Sequence, residues 1–399
     1  KLLFCGSESF PPDHNYLMGE APELGNFFVA AGFTSLGILS GGGAGMVMAR
    51  WIVEGHPPLD VWSVNLRRMH RWQSHPAYLG DRTVETLGIG YADHWPNRQW
   101  STARNVKQSI LHDRMAAAGA CFGESAGWER PNWFAEPGDR PQYEYSWGRQ
   151  NWFNYSALEH RAVREACGLF EQSSFAKLLV QGRDAERVLN RIATADLSVA
   201  PGKVVYTQFL NPRGGIEADL TVTRLAASTY LVVTAAFTQT HVEAWLRQHT
   251  PPDACVVITD VTGAYSVLNL QGPESRTLLQ SLSSDDVSDA AVPFGCARDI
   301  RVGYQSLLAM RLTYMGELGY ELYVPTPFVL PFYDALVDAG RRFGLRHCGY
   351  HAMNSLRIEK GYREWAHDMG PDDDPLSAGL AFTCAWNKPG GFIGRDALI

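Results

Sequence analysis

At 399 residues the chain is longer than one domain usually runs, so two or more cores are expected. Its 42 acidic and 35 basic residues give a net charge of -7, and the Lys and Arg are scattered, which excludes the basic field a nucleic-acid partner requires. A composition 45% apolar and 19% charged excludes disorder, and no apolar run approaches the roughly 20 residues needed to span a bilayer.

Seven cysteines, an odd number without a CxxC pair, speak against a disulfide framework or a zinc ribbon and favour a reducing compartment. Nothing near Lys1 reads as a signal peptide. The sequence starts at Lys1 rather than Met and stops at Ile399 just after GFIGRDAL, so it reads as a piece of a longer chain.

In chain order, FFVAA (27–31), GFTSLGILSGGGAG and MVMARWIVEG predict a strand, a glycine loop and a helix that stops near Gly55, before HPPLD. A boundary is expected near residue 58. From Val61 to about Ser146 the pattern is irregular, with one helix around 105–118, and WERPNWF (128–134) reads as surface packing ahead of a tunnel lining or an interface. Beyond it, 157–170 and 184–196 carry apolar residues at helical spacing. Strand patterns follow at 177–182, 204–210, 218–225, 229–235, 255–262, 265–272, 306–314 and 320–325, with helices near 239–248, 273–282, 328–343 and 350–361. The fold class is α+β with mixed sheets.

Three segments carry candidate chemistry. The glycine loop brings backbone N–H groups to a helix start, which suits a negatively charged ligand edge; tight packing of strand on helix is an equal alternative. VYTQFLNPRGGIEADLTVTRL (205–225) reads as a hairpin turning at Pro212, Gly214 and Gly215, with Asp219 on the return strand as a turn cap or a half-buried acid. NLQGPESR (269–276) puts Pro273 at a first helical position, and YMGELGYELYVP (314–325) is a glycine-punctuated hairpin with Glu317 and Glu321. His347 and His351 are spaced i, i+4 but lack a third ligand, so no metal is expected, and Cys167 and Cys384 read as small core residues.

Taken in this order, GGIxxDL, LQGPxSR and YxGExGxE within residues 205–325 resemble the folate-binding domain of aminomethyltransferases. The resemblance assigns Glu321 to the pterin, Asp219 to the reacting one-carbon unit and Tyr206 to the same pocket. It departs from the free transferases at Ala218, Leu231 and Met353, and NSLRIEKGYREWAHDMGPDDDPLSAGLAFTC (354–384) is similar instead to the sarcosine and dimethylglycine dehydrogenases, sarcosine the nearer.

Residues 8–55 resemble the end of the FAD domain of D-amino-acid-oxidase-type flavoenzymes, which makes Leu36, Gly37 and Ile38 candidates for backbone contact with the flavin ring. The implied arrangement is 1–58 the end of an FAD domain, 59–152 a connecting segment, 153–384 the folate domain and 385–399 the start of a C-terminal barrel. The implied cofactors are FAD and tetrahydrofolate. The implied reaction is oxidative demethylation of sarcosine or a related N-methyl amine, with the one-carbon unit captured as 5,10-methylene-tetrahydrofolate. An electron-accepting flavoprotein is a candidate partner, and the expected location is a bacterial cytoplasm or a mitochondrial matrix. The 399 residues alone are expected to be inactive in oxidation. Two rivals stay open: a non-catalytic regulatory protein of the same architecture, as in the pyruvate dehydrogenase phosphatase regulatory subunit, and a free aminomethyltransferase.

Overall fold

The computed structural model describes every residue except Lys1 and Phe4. Two sheets dominate it. An antiparallel five-stranded sheet runs Val257–Asp260, Ala176–Gln181, Thr229–Thr234, Ile216–Ala226, Val204–Leu210. A six-stranded mixed sheet runs Ala297–Val302, Gln305–Met310, Gly319–Pro325, Tyr265–Gln271, Cys167–Glu171, Leu345–His347, its last pairing parallel.

Side-chain alternation along the strands fixes how the sheets stack. On Ile216–Ala226, Ala218, Leu220 and Val222 pack with Val188, Leu189 and Trp245 of the helices Ala185–Ile192 and Gln239–Gln248. The intervening residues point the other way, where Thr223 donates to Met310 Sδ of the six-stranded sheet at 3.5 Å. Val204, Leu231 and Val233 join Val267, Met310 and Tyr323 in one buried cluster between the sheets. Helices Ser275–Leu282 and Val329–Gly340 cover the outer face of the six-stranded sheet through Leu278, Leu279, Phe332 and Leu336. The layers are helix, sheet, sheet, helix, and each buried Leu or Val contributes about 1.5–3 kcal/mol.

Several sequence expectations are corrected. The helix expected over 157–170 ends at Glu165, and Cys167–Glu171 is a fully buried strand. A strand buried on both faces loses polar alternation, so its apolar residues imitate a continuing helical face. The helix at the N-terminal glycine run begins at Gly37 and reaches Glu54, so Gly41, Gly42, Gly43 and Gly45 lie inside it. Only residues 32–36 form the turn, with Thr34 and Ser35 at φ 47° and 64°. The irregular stretch hides a helix, Pro76–Gly90, whose buried residues are Tyr78, Arg82 and Thr86 rather than an apolar stripe. The helix expected over 105–118 is His112–Ala117 alone. WERPNWF is a strand paired with Ala120–Ser125, and Trp133 is fully buried instead of lying at the surface. Pro273 stands just ahead of the helix Ser275–Leu282 rather than in its first turn.

The core of the six-stranded sheet takes in Leu111, Met115, Ala120 and Phe134, so it reaches across residues expected to connect domains. At the other end Phe392 packs with Leu210, Ile216 and Trp365, and Lys388 donates to the carbonyls of Ala193 and Ala195, which ties 385–399 to the five-stranded sheet. Among the described residues no helix is long and apolar enough to cross a membrane.

Candidate functional site

The hairpin at Asn211–Gly215 sets the position of Asp219. Asn211 Oδ1 accepts the N–H groups of Arg213 and Gly215 at 3.0 Å each, and Gly214 takes φ 89°. The resulting register places Tyr206 opposite Thr221 and Gln208 opposite Asp219. Asp219, Thr221 and Thr223 share the face that meets the six-stranded sheet, by the period of two. On that sheet Glu321 pairs with Asn269 on one side and Met310 on the other. Met310 is the residue Thr223 touches, so Asp219 and Glu321 both face the space between the sheets.

Both acids are half-buried, as are Tyr206, Thr221 and Tyr314, so these polar side chains keep some access to solvent beside the apolar cluster that fills the rest of the space between the sheets. Burial pushes the Asp219 carboxyl up to about 6, against the lowering effect of the Tyr206 hydroxyl and the Gln208 amide. The Gln208 amide donates to Asp219 Oδ1 at 2.8 Å. Burial also raises Glu321, opposed by Tyr323 and Lys177. Tyr323 donates to Glu321 Oε2 at 3.0 Å, and Oε1 has no hydrogen-bond partner among the described residues. A carboxylate with one oxygen free and exposed to a gap can accept a further donor pair.

Sequence reasoning missed part of this neighbourhood. Lys177 is fully buried and donates to the carbonyls of Ser173 and Phe175 at 2.9 and 2.8 Å; burial pulls its ammonium down to about 8. A lysine within the apolar run KLLVQG was the available signal. A chain of amides runs under Glu321: Gln271 Nε2 donates to Asn269 Oδ1 at 2.6 Å, and Asn269 Nδ2 to Gln172 Oε1 at 3.0 Å. Gln271 Oε1 is buried without a partner among the described residues. Glu317, which shares a motif with Glu321, is instead held by Arg164 at 2.8 Å.

The other candidate positions lie apart. Leu36 caps the helix Gly37–Glu54 without a side-chain bond, and the first-turn N–H groups have no intrahelical acceptor. Leu36, Ile38 and Leu39 are exposed beside them. This arrangement fits a flat, partly apolar ligand whose negative edge meets free N–H donors. His347 and His351 do not converge: His347 Nε2 meets the Tyr333 hydroxyl at 2.7 Å and His351 Nε2 the Tyr143 hydroxyl at 3.0 Å. A cleft of about 1430 Å³ lies away from both acids, lined by His70, Trp72, Lys107, Gln239, Arg247 and Asp260.

Comparison with known proteins identifies two families along the chain. Residues 111–388 match the GCVT N-terminal domain, and residues 54–109 match the FAD dependent oxidoreductase central domain. The chain is 48% identical over 392 residues to the 4-methylaminobutanoate oxidase (formaldehyde-forming) of Paenarthrobacter nicotinovorans, covering 98% of this chain and 48% of that protein. It is 38% identical over 440 residues to the human mitochondrial sarcosine dehydrogenase, covering 100% and 48%. The chain thus spans about half the length of these curated relatives. Among solved structures, the glycine cleavage system aminomethyltransferase T from Bartonella henselae superposes with a TM-score of 0.59 at 25% identity, over 73% of this chain and 74% of that one. The chain belongs to the GCVT N-terminal domain family and carries beside it a match to the FAD dependent oxidoreductase central domain, a combination over which it is similar to the sarcosine and dimethylglycine dehydrogenases.

Proposed function

We propose that this chain is the folate-handling part of an FAD-dependent enzyme that demethylates an N-methylamino carboxylate. The observation that carries the reading is the pair of half-buried carboxylates, Asp219 and Glu321, on the facing surfaces of two packed sheets. The substrate class is what sarcosine and 4-methylaminobutanoate have in common, the substrates named for two relatives. The match of residues 54–109 to an oxidoreductase domain favours a fused enzyme over a free aminomethyltransferase.

In this reading tetrahydrofolate is the acceptor substrate. A pterin presents N3–H and a 2-amino group side by side, and Glu321, with Oε1 free, takes both. Tyr206 closes the pocket beside Asp219, which holds a proton or steadies positive charge where the one-carbon unit is captured. FAD, when bound, supplies the two-electron oxidation of the amine. The residues that would face it from this chain are Gly37 and Ile38, through backbone N–H groups at a helix start, and Leu36 through its exposed side chain, since the Leu36 N–H is bonded to the Phe33 carbonyl at 2.8 Å. The gap between the sheets shelters the reactive carbon from water. An electron-accepting flavoprotein as partner belongs to the same proposal.

The test is calorimetric titration of the 399-residue chain with tetrahydrofolate. Saturable binding is expected, weakened by Glu321→Gln; a folded chain that binds no reduced folate overturns the reading and favours a regulatory protein of the same architecture.

A further inference from the structure

Gln208 is fully buried and lies opposite Asp219 in the hairpin register. Its Nε2 donates to Asp219 Oδ1 at 2.8 Å. Its Oε1 meets the hydroxyl of Thr383, from the turn Ala381–Thr383, 175 positions away in the chain. The same hydroxyl lies 2.8 Å from the carbonyl of Leu380. A hydroxyl has one proton, so Thr383 donates to Gln208 or to Leu380 and not to both.

The state of Asp219 decides between them. Ionised, its carboxylate only accepts, so the amide must present Nε2, which turns Oε1 toward Thr383 and draws the Thr383 proton onto it. Protonated, Asp219 has a proton to give. Half a turn of the amide then offers Oε1 to that proton and Nε2 to Thr383 Oγ1, whose O–H turns to donate to the Leu380 carbonyl. Each polar group keeps a partner in both arrangements, and no covalent bond is made or broken except the Asp219 O–H.

We infer that Gln208 and Thr383 form a reversible hydrogen-bond relay that matches Asp219 in both its ionised and its protonated form. Asp219 thereby takes up and releases a proton without stranding a buried donor or acceptor. Gln208 and Thr383 are positioning residues. The titratable groups that face Asp219 are Tyr206 from the paired strand and Tyr314 from the loop after Gln305–Met310. Burial holds both phenols above their ordinary range, so neither competes for the proton near neutrality. The relay deepens the role proposed for Asp219 and rests on it, but its test needs no folate, so either can fail without the other.

The test is carboxyl-selective difference infrared spectroscopy of the ligand-free 399-residue chain across about pH 4 to 8, the range over which such an acid titrates. The Asp219 band is the one absent from Asp219→Asn. Gln208→Leu, or Gln208→Met should the first fold poorly, removes one donor to the anion and also the acceptor for the acid's proton; because the bond to the anion is the stronger of the two, the Asp219 midpoint is expected to rise by about one pH unit, roughly tenfold in proton affinity. Thr383→Val removes a partner from both arrangements, and the protonated one also loses the bond to Leu380, so the midpoint is expected to stay or fall. Thr383→Ser is expected to restore wild-type titration. A rise with Thr383→Val as large as that with Gln208→Leu would mean a locked, donor-only amide and overturns the relay; an unchanged midpoint in both Gln208 variants overturns it as well.

Discussion

Glu159 accepts the backbone N–H of Gly349 at 2.9 Å through Oε2 and that of Phe134 at 2.6 Å through Oε1, although Gly349 is 190 positions away. One buried carboxylate therefore joins the helix Phe153–Glu165, the strand Trp128–Phe134 and the start of the helix Tyr350–Glu359. Gly349 can only be glycine here, since an added Cβ would stand 2.2 Å from the Asn132 carbonyl.

Burial raises Glu159 from 4.5 to about 8, against the two N–H donors. The folded state then holds the proton more tightly than the unfolded chain, so this contribution is full below about 4.5 and is lost as pH rises through about 8. Glu159→Gln should flatten the stability profile in that window. Glu159→Ala strands two buried N–H groups and should cost about 2–6 kcal/mol. Chemical denaturation at several pH values measures both; an unaltered slope in Glu159→Gln counts against the buried acid as its source.

Asp219 gives a second linkage with the same sign. Its carboxyl is raised from 3.8 to about 6, so ionisation is easier in the unfolded chain and stability falls as pH rises through that interval. Asp219→Asn should melt at a higher temperature than the wild type at pH 7 and match it below about pH 4, as expected where a site residue is kept for chemistry rather than stability. A lower melting temperature at pH 7 would show that the ionised side chain is stabilising.

The sequence pattern disclosed the site in proportion to how local its causes are. The hairpin around Pro212, Gly214 and Gly215 fixes which residues lie opposite one another, so Tyr206 and Asp219 were placed on paired strands from the turn alone. The same counting reaches Gln208, which was overlooked because a glutamine in an apolar strand has no distinctive signature. Thr383 carries no sequence signal, because its bond to Gln208 exists only after the C-terminal segment docks beside Thr194. Cys167–Glu171 was misread because periodicity cannot separate a doubly buried strand from the end of a helix. Pro76–Gly90 was missed because its buried face is polar, with Arg82 bonded to Glu124 at 3.1 Å and to the Thr102 carbonyl at 2.8 Å.

Gly215 tests how the Asp219 hairpin is held. A Cβ there would lie 1.8 Å from the Pro371 carbonyl, and the next residue, Ile216, donates to the Asp373 carbonyl at 2.9 Å and accepts from Trp365 Nε1 at 2.7 Å. The methyl has no flexible neighbour to displace. Gly215→Ala should cost about 1–3 kcal/mol, the usual scale of overpacking, and should weaken folate binding in the calorimetric assay by shifting the paired strands that carry Tyr206 and Asp219 and so changing the shape of the pocket. Neutral behaviour in both measurements would show that the segment 370–374 shifts freely.

In the proposed function the helix start at Gly37 would offer donors to one edge of a flavin, while the sequence contains no GxGxxG to cradle its phosphates. Purification of the 399-residue chain should therefore yield protein without a visible flavin band. A stoichiometric band in the absorption spectrum would mean that the contacts available here suffice to retain FAD.

The two acids should separate by readout, because Glu321 is assigned to holding the pterin and Asp219 to the reacting carbon. Glu321→Gln replaces one acceptor by a donor while Tyr323 keeps its bond to the other oxygen, so folate affinity should fall by about 1.5–3 kcal/mol, the scale of a charged hydrogen bond. Asp219→Asn still accepts from Gln208 Nε2, so the pocket keeps its shape and affinity should change little. In an enzyme carrying both halves, Asp219→Asn should lower the yield of methylene-tetrahydrofolate while amine oxidation continues and free formaldehyde rises. Dye reduction, folate product and formaldehyde, measured together on both variants, decide it. If Asp219→Asn stopped amine oxidation and Glu321→Gln bound folate normally, the two roles would have to be reassigned.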